Sequence, residues 1–132
     1  MGYRPREAGI GRTLLPGDDQ REGLQMVSDE IPATLEVDQV YAIEAEYAPD
    51  GANRRWPVRR QHLERFERLV REGTILFGGA LGDVESALIV VRTPDEQSAR
   101  ELAEQDIYWT SGTWSSFRIR PYALIRIRGG ND

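Results

Sequence analysis

One side chain in this sequence can exchange a proton near neutral pH unaided: His62, the single histidine. An imidazole has an ordinary pKa of about 6.5, so it serves as base or as acid around pH 7. The chain has no cysteine and no lysine, and its 17 permanently positive side chains are all arginines. Thiolate nucleophiles, thiolate-bound zinc, iron–sulfur clusters and lysine Schiff bases are thereby excluded. Acid–base work falls to His62 or to a displaced carboxylate. A lone histidine also argues against a metal centre, no phosphate-loop pattern is present, and no cofactor is expected.

Two residues could act with His62. Asp106 stands in Gln105-Asp106-Ile107-Tyr108-Trp109. A carboxylate that accepts one ring N–H fixes the tautomer and leaves the other nitrogen aimed at a substrate. Arg59, three residues before His62 on the adjoining surface of one helix, could hold a carboxylate or enolate with two N–H groups. Each has a plainer reading: a rim-filling histidine, a local helix cap, a solvated charge. Tyr41, Trp56, Tyr108 and Trp114 fit either an aromatic pocket or ordinary core. Gly78-Gly79 fits either a ligand lying close to the backbone at Gly79 or a tight bulge between strands.

Several elements must position these residues. Tyr41, Ile43, Ala45 and Tyr47 alternate with Glu44 and Glu46, which predicts a strand with one buried side. Ala48-Pro49-Asp50-Gly51 predicts a turn. Over residues 57–72, Val58, His62, Phe66 and Leu69 recur at helical spacing, with Leu63 and Val70 widening the stripe. Glu64/Arg68 and Glu67/Arg71 are spaced as ion pairs on its outer face, and Gly73 marks its end. Thr74-Ile75-Leu76-Phe77 predicts a second strand ending at Gly78-Gly79. Residues 84–92 predict a third, whose apolar centre implies burial on both faces. Thr93-Pro94-Asp95-Glu96 signals a helix start with threonine as cap, and Ala99, Leu102 and Ala103 form its stripe to about Asp106. Residues 116–120 and 122–128 read as a long strand interrupted by Pro121.

The order is β-α-β-β-α-β. It is satisfied by an α+β fold of the ferredoxin-like split type: a four-stranded antiparallel sheet with two helices on one face. The bare face needs cover, so a homodimer with sheets packed face to face is expected, a dimeric α+β barrel. Side-by-side helices would let Asp106, leaving the second, reach His62 at the start of the first. Residues 1–36 read as a flexible leader with one short helix near residues 20–27, residues 37–128 as the domain, and 129–132 as a tail.

Hydrophobic content of 39% and charged content of 30% suit a soluble globular chain. The longest apolar run, Ala87-Leu88-Ile89-Val90-Val91, is far short of the ~20 residues a bilayer span needs, so no membrane association is expected. The formal charge of -5 argues against nucleic acid as a partner. The absence of a signal-peptide core and of cysteine fits the cytoplasm.

Several short motifs occur in a telling order. Arg59-Arg60-Gln61-His62-Leu63 resembles the Arg-x-x-His-Leu motif of the YciI-related (YCII) domain family. Gly78-Gly79-Ala80-Leu81 is similar to its glycine turn. Asp106-Ile107-Tyr108 followed by Gly112 is similar to its Asp-Pro-Tyr…Gly signature, and Arg120-Pro121-Tyr122 to its closing strand. The likeness runs from about residue 40 to 127. It implies a dimeric α+β barrel and a site on the His62–Asp106 pair; relatives include a dehydrochlorinase of chlorinated hydroxyquinols, and related barrels include muconolactone isomerases. Ile107 replaces the family's proline, which puts the backbone beneath Asp106 in question.

The first reading is a cofactor-independent lyase or isomerase acting on a small cyclic or aromatic, anionic metabolite. His62 moves the proton, Asp106 orients it, and Arg59, Tyr41, Gly79, Tyr108 and Trp114 contact the substrate. The alternative is a non-catalytic module that binds a small molecule or a protein. A third is haem or oxygen chemistry with His62 as axial ligand.

Overall fold

The computed structural model describes residues 31–129. The expected leader lies outside the described residues except for 31–36, as does the short helix near residues 20–27. The elements in order are β1 (Leu35–Tyr47), a short helix α1 (Gly51–Arg54), a 3₁₀ turn (Trp56–Val58) and α2 (Arg59–Arg71). There follow β2 (Ile75–Leu81), β3 (Ser86–Val91), α3 (Glu96–Glu104), the single-turn α4 (Ile107–Thr110) and β4 (Trp114–Ile127).

The four strands form one antiparallel sheet in the order β2-β3-β1-β4, with the helices packed on one face. β1 pairs with β3 from Tyr41↔Val91 to Glu46↔Ser86. This is the split arrangement expected from the element order: β3 inserts between β1 and β2, and each strand–helix–strand crossover lays its helix on the same side. The helix-facing residues Ile43, Ala45, Ile89, Val91 and Ile119 meet Leu69 of α2, Ala99 and Ala103 of α3, and the rings of Tyr108 and Trp114. Two alanines on α3 give it a thin face that lets it lie close to the sheet. No helix among the described residues is long and apolar enough to cross a membrane.

Several local expectations are corrected. β1 begins at Leu35, inside the expected leader. β2 does not stop at Gly78-Gly79 but continues through both to Leu81, and the bulge lies earlier, between Ile75 and Phe77. Pairing with β3 holds the glycines extended despite their preference for turns. β4 likewise runs unbroken through Pro121. It lies at a sheet edge, the position where a strand best tolerates proline. The cap of α3 is Asp95, whose carboxylate accepts from Ser98 N at 2.8 Å, while the Thr93 hydroxyl donates to Asp95 O. Leu63 and Val70 stand at the margin of the α2 stripe and are exposed. Glu67 pairs with Arg71 as expected, but Glu64 pairs with Arg60 instead of Arg68, and Arg68 with Glu72.

Residues Asp38–Leu124 make one compact unit. A second is described over residues 31–37 and 125–129, where Arg128 N donates to Thr34 O and Arg126 pairs with Glu36 at 3.2 Å.

The two strand glycines are not equivalent. A Cβ on Gly78 would stand 2.8 Å from Leu88 O and 2.9 Å from Ile89 Cα, whereas one on Gly79 meets nothing within 4 Å. Gly78→Ala should therefore cost about 1–3 kcal/mol of stability, the usual range for overpacking. Gly79→Ala should stay within about 0.5 kcal/mol. Urea denaturation of both variants checks this; equal stabilities would contradict it.

Candidate active site

α2 starts where the 3₁₀ turn Trp56-Pro57-Val58 hands the chain into a regular helix, so His62 lies in its first turns with its ring toward the sheet. Both His62 and Asp106 are buried, 8% and 5% exposed. The chain reaches Asp106 because α3 ends at Glu104 and the next residues start a new turn, for which Asp106 is the N-cap. The cap and the histidine partner, alternatives on sequence, are here one arrangement. Asp106 Oδ1 accepts from Tyr108 N at 2.9 Å and lies 2.8 Å from His62 Nδ1.

An ionised carboxylate can only accept, so Nδ1 carries the proton and Nε2 is the free nitrogen. Nε2 has no hydrogen-bond partner among the described residues, and His62 lines a cavity of about 170 Å³. The ring is fixed from its face as well as its edge. Tyr108 stacks on it at 3.7 Å between centroids with planes 6° apart, and Trp114 and Phe66 flank it at 6.3 Å. On the far side of the carboxylate, Arg65 Nη1 donates to Asp106 Oδ2 at 3.4 Å and Nη2 to Leu102 O at 3.1 Å. Burial draws the Arg65 guanidinium below its ordinary pKa, and the charge on Asp106 opposes that shift.

Ile107 does not loosen this backbone. Asp106 N donates to Ala103 O, and Asp106 O accepts from Trp109 N at 2.9 Å and Thr110 N at 3.1 Å. A first-turn N–H has no helical partner to lose, so a proline there would add stiffness but no hydrogen bond.

The structure brings together most of the residues singled out above. His62, Arg59, Gly79, Tyr108 and Trp114 line the same cavity, with Asp106 behind the histidine. Tyr41 does not line it. It is half-buried near the start of α3, where burial and the charges of Glu96 and Asp95 raise its phenol pKa. Trp56 is exposed, beneath the guanidinium groups of Arg55 at 4.9 Å and Arg59 at 5.4 Å. Sequence reasoning missed Tyr47, Arg55, Leu63 and Phe66 of the lining, and Arg65 behind Asp106. Arg65 was within reach, since it follows His62 by three residues on one helix face. Arg55 gives no such signal, because an irregular turn separates it from α2.

Comparison with known proteins bears on the family. An uncharacterized protein of Haemophilus influenzae is 27% identical over 95 residues, covering 64% of this chain and 97% of that protein. Among solved structures, 5-chloro-2-hydroxyhydroquinone dehydrochlorinase of Burkholderia phenoliruptrix, in complex with 2,5-dihydroxybenzoquinone, superposes with a TM-score of 0.56. That match has 17% identity and covers 63% of this chain and 92% of the other, a likeness of fold. The family model of the YCII-related domain matches residues 40–123, which contain every residue of the cavity, and the chain belongs to that family.

Proposed function

We propose that the protein is a cofactor-independent enzyme of the lyase or isomerase type, acting on a small cyclic or aromatic, anionic metabolite. The observation that carries this reading is the histidine with Nδ1 committed to Asp106 and Nε2 free at a cavity wall. A cavity near 150 Å³ is enough for one benzene-sized ring, and this one holds about 170 Å³. The structural neighbour, whose name and ligand describe loss of chloride from a hydroxylated ring, supports the elimination form of the reaction.

In that form His62 Nε2 takes a proton from a ring carbon beside a carbonyl. The freed electron pair closes a carbon–carbon double bond, and the group on the neighbouring carbon leaves with its bonding pair. Proton and leaving group depart as an acid, and nothing is oxidised or reduced. In the isomerase form the same proton returns at a different carbon. Asp106 does not touch the substrate in either; it fixes the tautomer and balances the imidazolium that forms.

His62→Gln should lower turnover of a halogenated or hydroxylated ring substrate by about 10²–10⁴-fold, the usual contribution of a positioned acid–base group. Spectrophotometric rates, with circular dichroism to verify folding, check this. Equal rates in a folded variant would contradict the reading; tight binding without product in wild type would favour a binding module.

We also propose that two copies pair through the sheet face opposite the helices. On that face Leu81 and Phe77 are exposed, Phe77 packs edge-on to Tyr122 at 6.2 Å, and Glu44, Leu88 and Arg118 line a broad hollow. Sedimentation should give about twice the 15.0 kDa chain mass, and Leu81→Asp should shift it toward the monomer. A wild-type monomer at micromolar concentration would contradict this.

A further inference from the structure

The described arginines of this acidic chain are nearly all matched to carboxylates. Arg54, Arg60, Arg65, Arg68, Arg71, Arg92, Arg118, Arg120, Arg126 and Arg128 each have one within 4.0 Å. Arg100 does not, and it lies over the Phe117 ring away from the cavity. The other two exceptions, Arg55 and Arg59, both line the cavity. They lie over the ring of Trp56, which holds a guanidinium in place without neutralising it.

Both arginines act on the same two phenols. The charges of Arg55 and Arg59 reach Tyr47 and Tyr108, and Arg59 stands close enough to the Tyr108 hydroxyl to favour its ionised form. Burial outweighs this and keeps both phenols above their ordinary pKa of 10.0, so near neutral pH they are O–H groups able to donate. A third donor points the same way. The buried Trp114 indole Nε1–H acts on the Tyr47 hydroxyl and favours its ionised form. The carboxylate of Asp106 already serves His62, Arg65 and Tyr108 N. This wall of the cavity is rich in donors and positive charge, with no anion of its own.

We propose that Arg55 and Arg59, with the hydroxyls of Tyr47 and Tyr108, form an oxyanion subsite for a carboxylate or enolate of the substrate. The inference rests on the small-ring reading of the same cavity and narrows it: the substrate is a planar ring bearing a full negative charge. Its charged oxygen is held by the arginines while His62 Nε2, on the same cavity, works at a nearby ring carbon. Arg55 and Tyr47 thereby become binding residues. In an elimination the same donors meet the charge that develops on a carbonyl oxygen as its neighbouring carbon loses a proton.

Calorimetric titration with benzoate and with benzamide tests the subsite without requiring turnover. The two probes match in shape and differ in charge. Wild type should bind benzoate at millimolar concentration and prefer it over benzamide by roughly tenfold or more, as expected for hydrogen bonds to a charged group. Arg55→Met and Arg59→Met should each reduce that preference, Tyr47→Phe should weaken benzoate alone, and Arg100→Met should change nothing. Failure of benzoate to bind, equal affinity for the two probes, or a preference untouched in both single arginine variants would overturn the proposal. A protein that keeps the preference but turns over no ring substrate would sink the catalytic reading alone. One that turns over rings without the preference would sink the subsite alone.

Discussion

A carboxylate buried as deeply as Asp106 remains in a folded interior only when its charge is met by donors, because an isolated ion there costs several kcal/mol. Asp106 is met three ways: by the imidazole of His62, the backbone N–H of Tyr108 and the guanidinium of Arg65. These donors come from α2 and from the turn that follows α3, so the carboxylate fastens the two helices at the point where both approach the sheet. The residues of one short segment do separate jobs. Asp106 fixes the edge of the histidine, and Tyr108, two residues on, fixes its face. The imidazole is thus held in place by the fold itself, the kind of preorganisation that efficient proton transfer requires.

The electrostatic layout has a direction. Behind His62 lies the matched pair of Asp106 and Arg65, both largely buried. In front of it lies a cavity whose polar wall is made of unmatched guanidinium groups and protonated phenols. Among the described residues most other arginines are matched to carboxylates, so this wall stands out in a chain with an excess of acidic residues. The free ring nitrogen shares that cavity.

Much of this was legible in the sequence, and the limits have physical causes. The alternation around Ile43 and the helical spacing of His62, Phe66 and Leu69 are strong because each element presents one face to one sheet. From those elements the split topology follows, and the topology alone carries Asp106 to His62. Gly78 and Pro121 misled because their local preferences were overruled by sheet context: pairing with β3 for one, an edge position for the other. Leu63 and Val70 misled because the sheet covers only part of the α2 surface. The contributions of Tyr108, Arg55 and Tyr47 depend on short irregular turns or on which side of a strand meets the cavity. Elements of three or four residues are too short to show a period, so Tyr108 was named through the family resemblance and as a candidate pocket aromatic, while its stacking on the histidine was not legible.

The central claim is that Asp106 holds His62 as the Nδ1–H tautomer, leaving Nε2 bare toward the cavity. Because His62 is the single histidine, its ring nitrogens give unambiguous signals in a ¹⁵N–¹H spectrum. In wild type, at a pH where the ring is neutral, Nδ1 should show the protonated-type shift and Nε2 the unprotonated one. In Asp106→Ala the ring should move toward the Nε2–H form or average between the two. A wild-type ring protonated at Nε2, or identical spectra for the two proteins, would contradict the account.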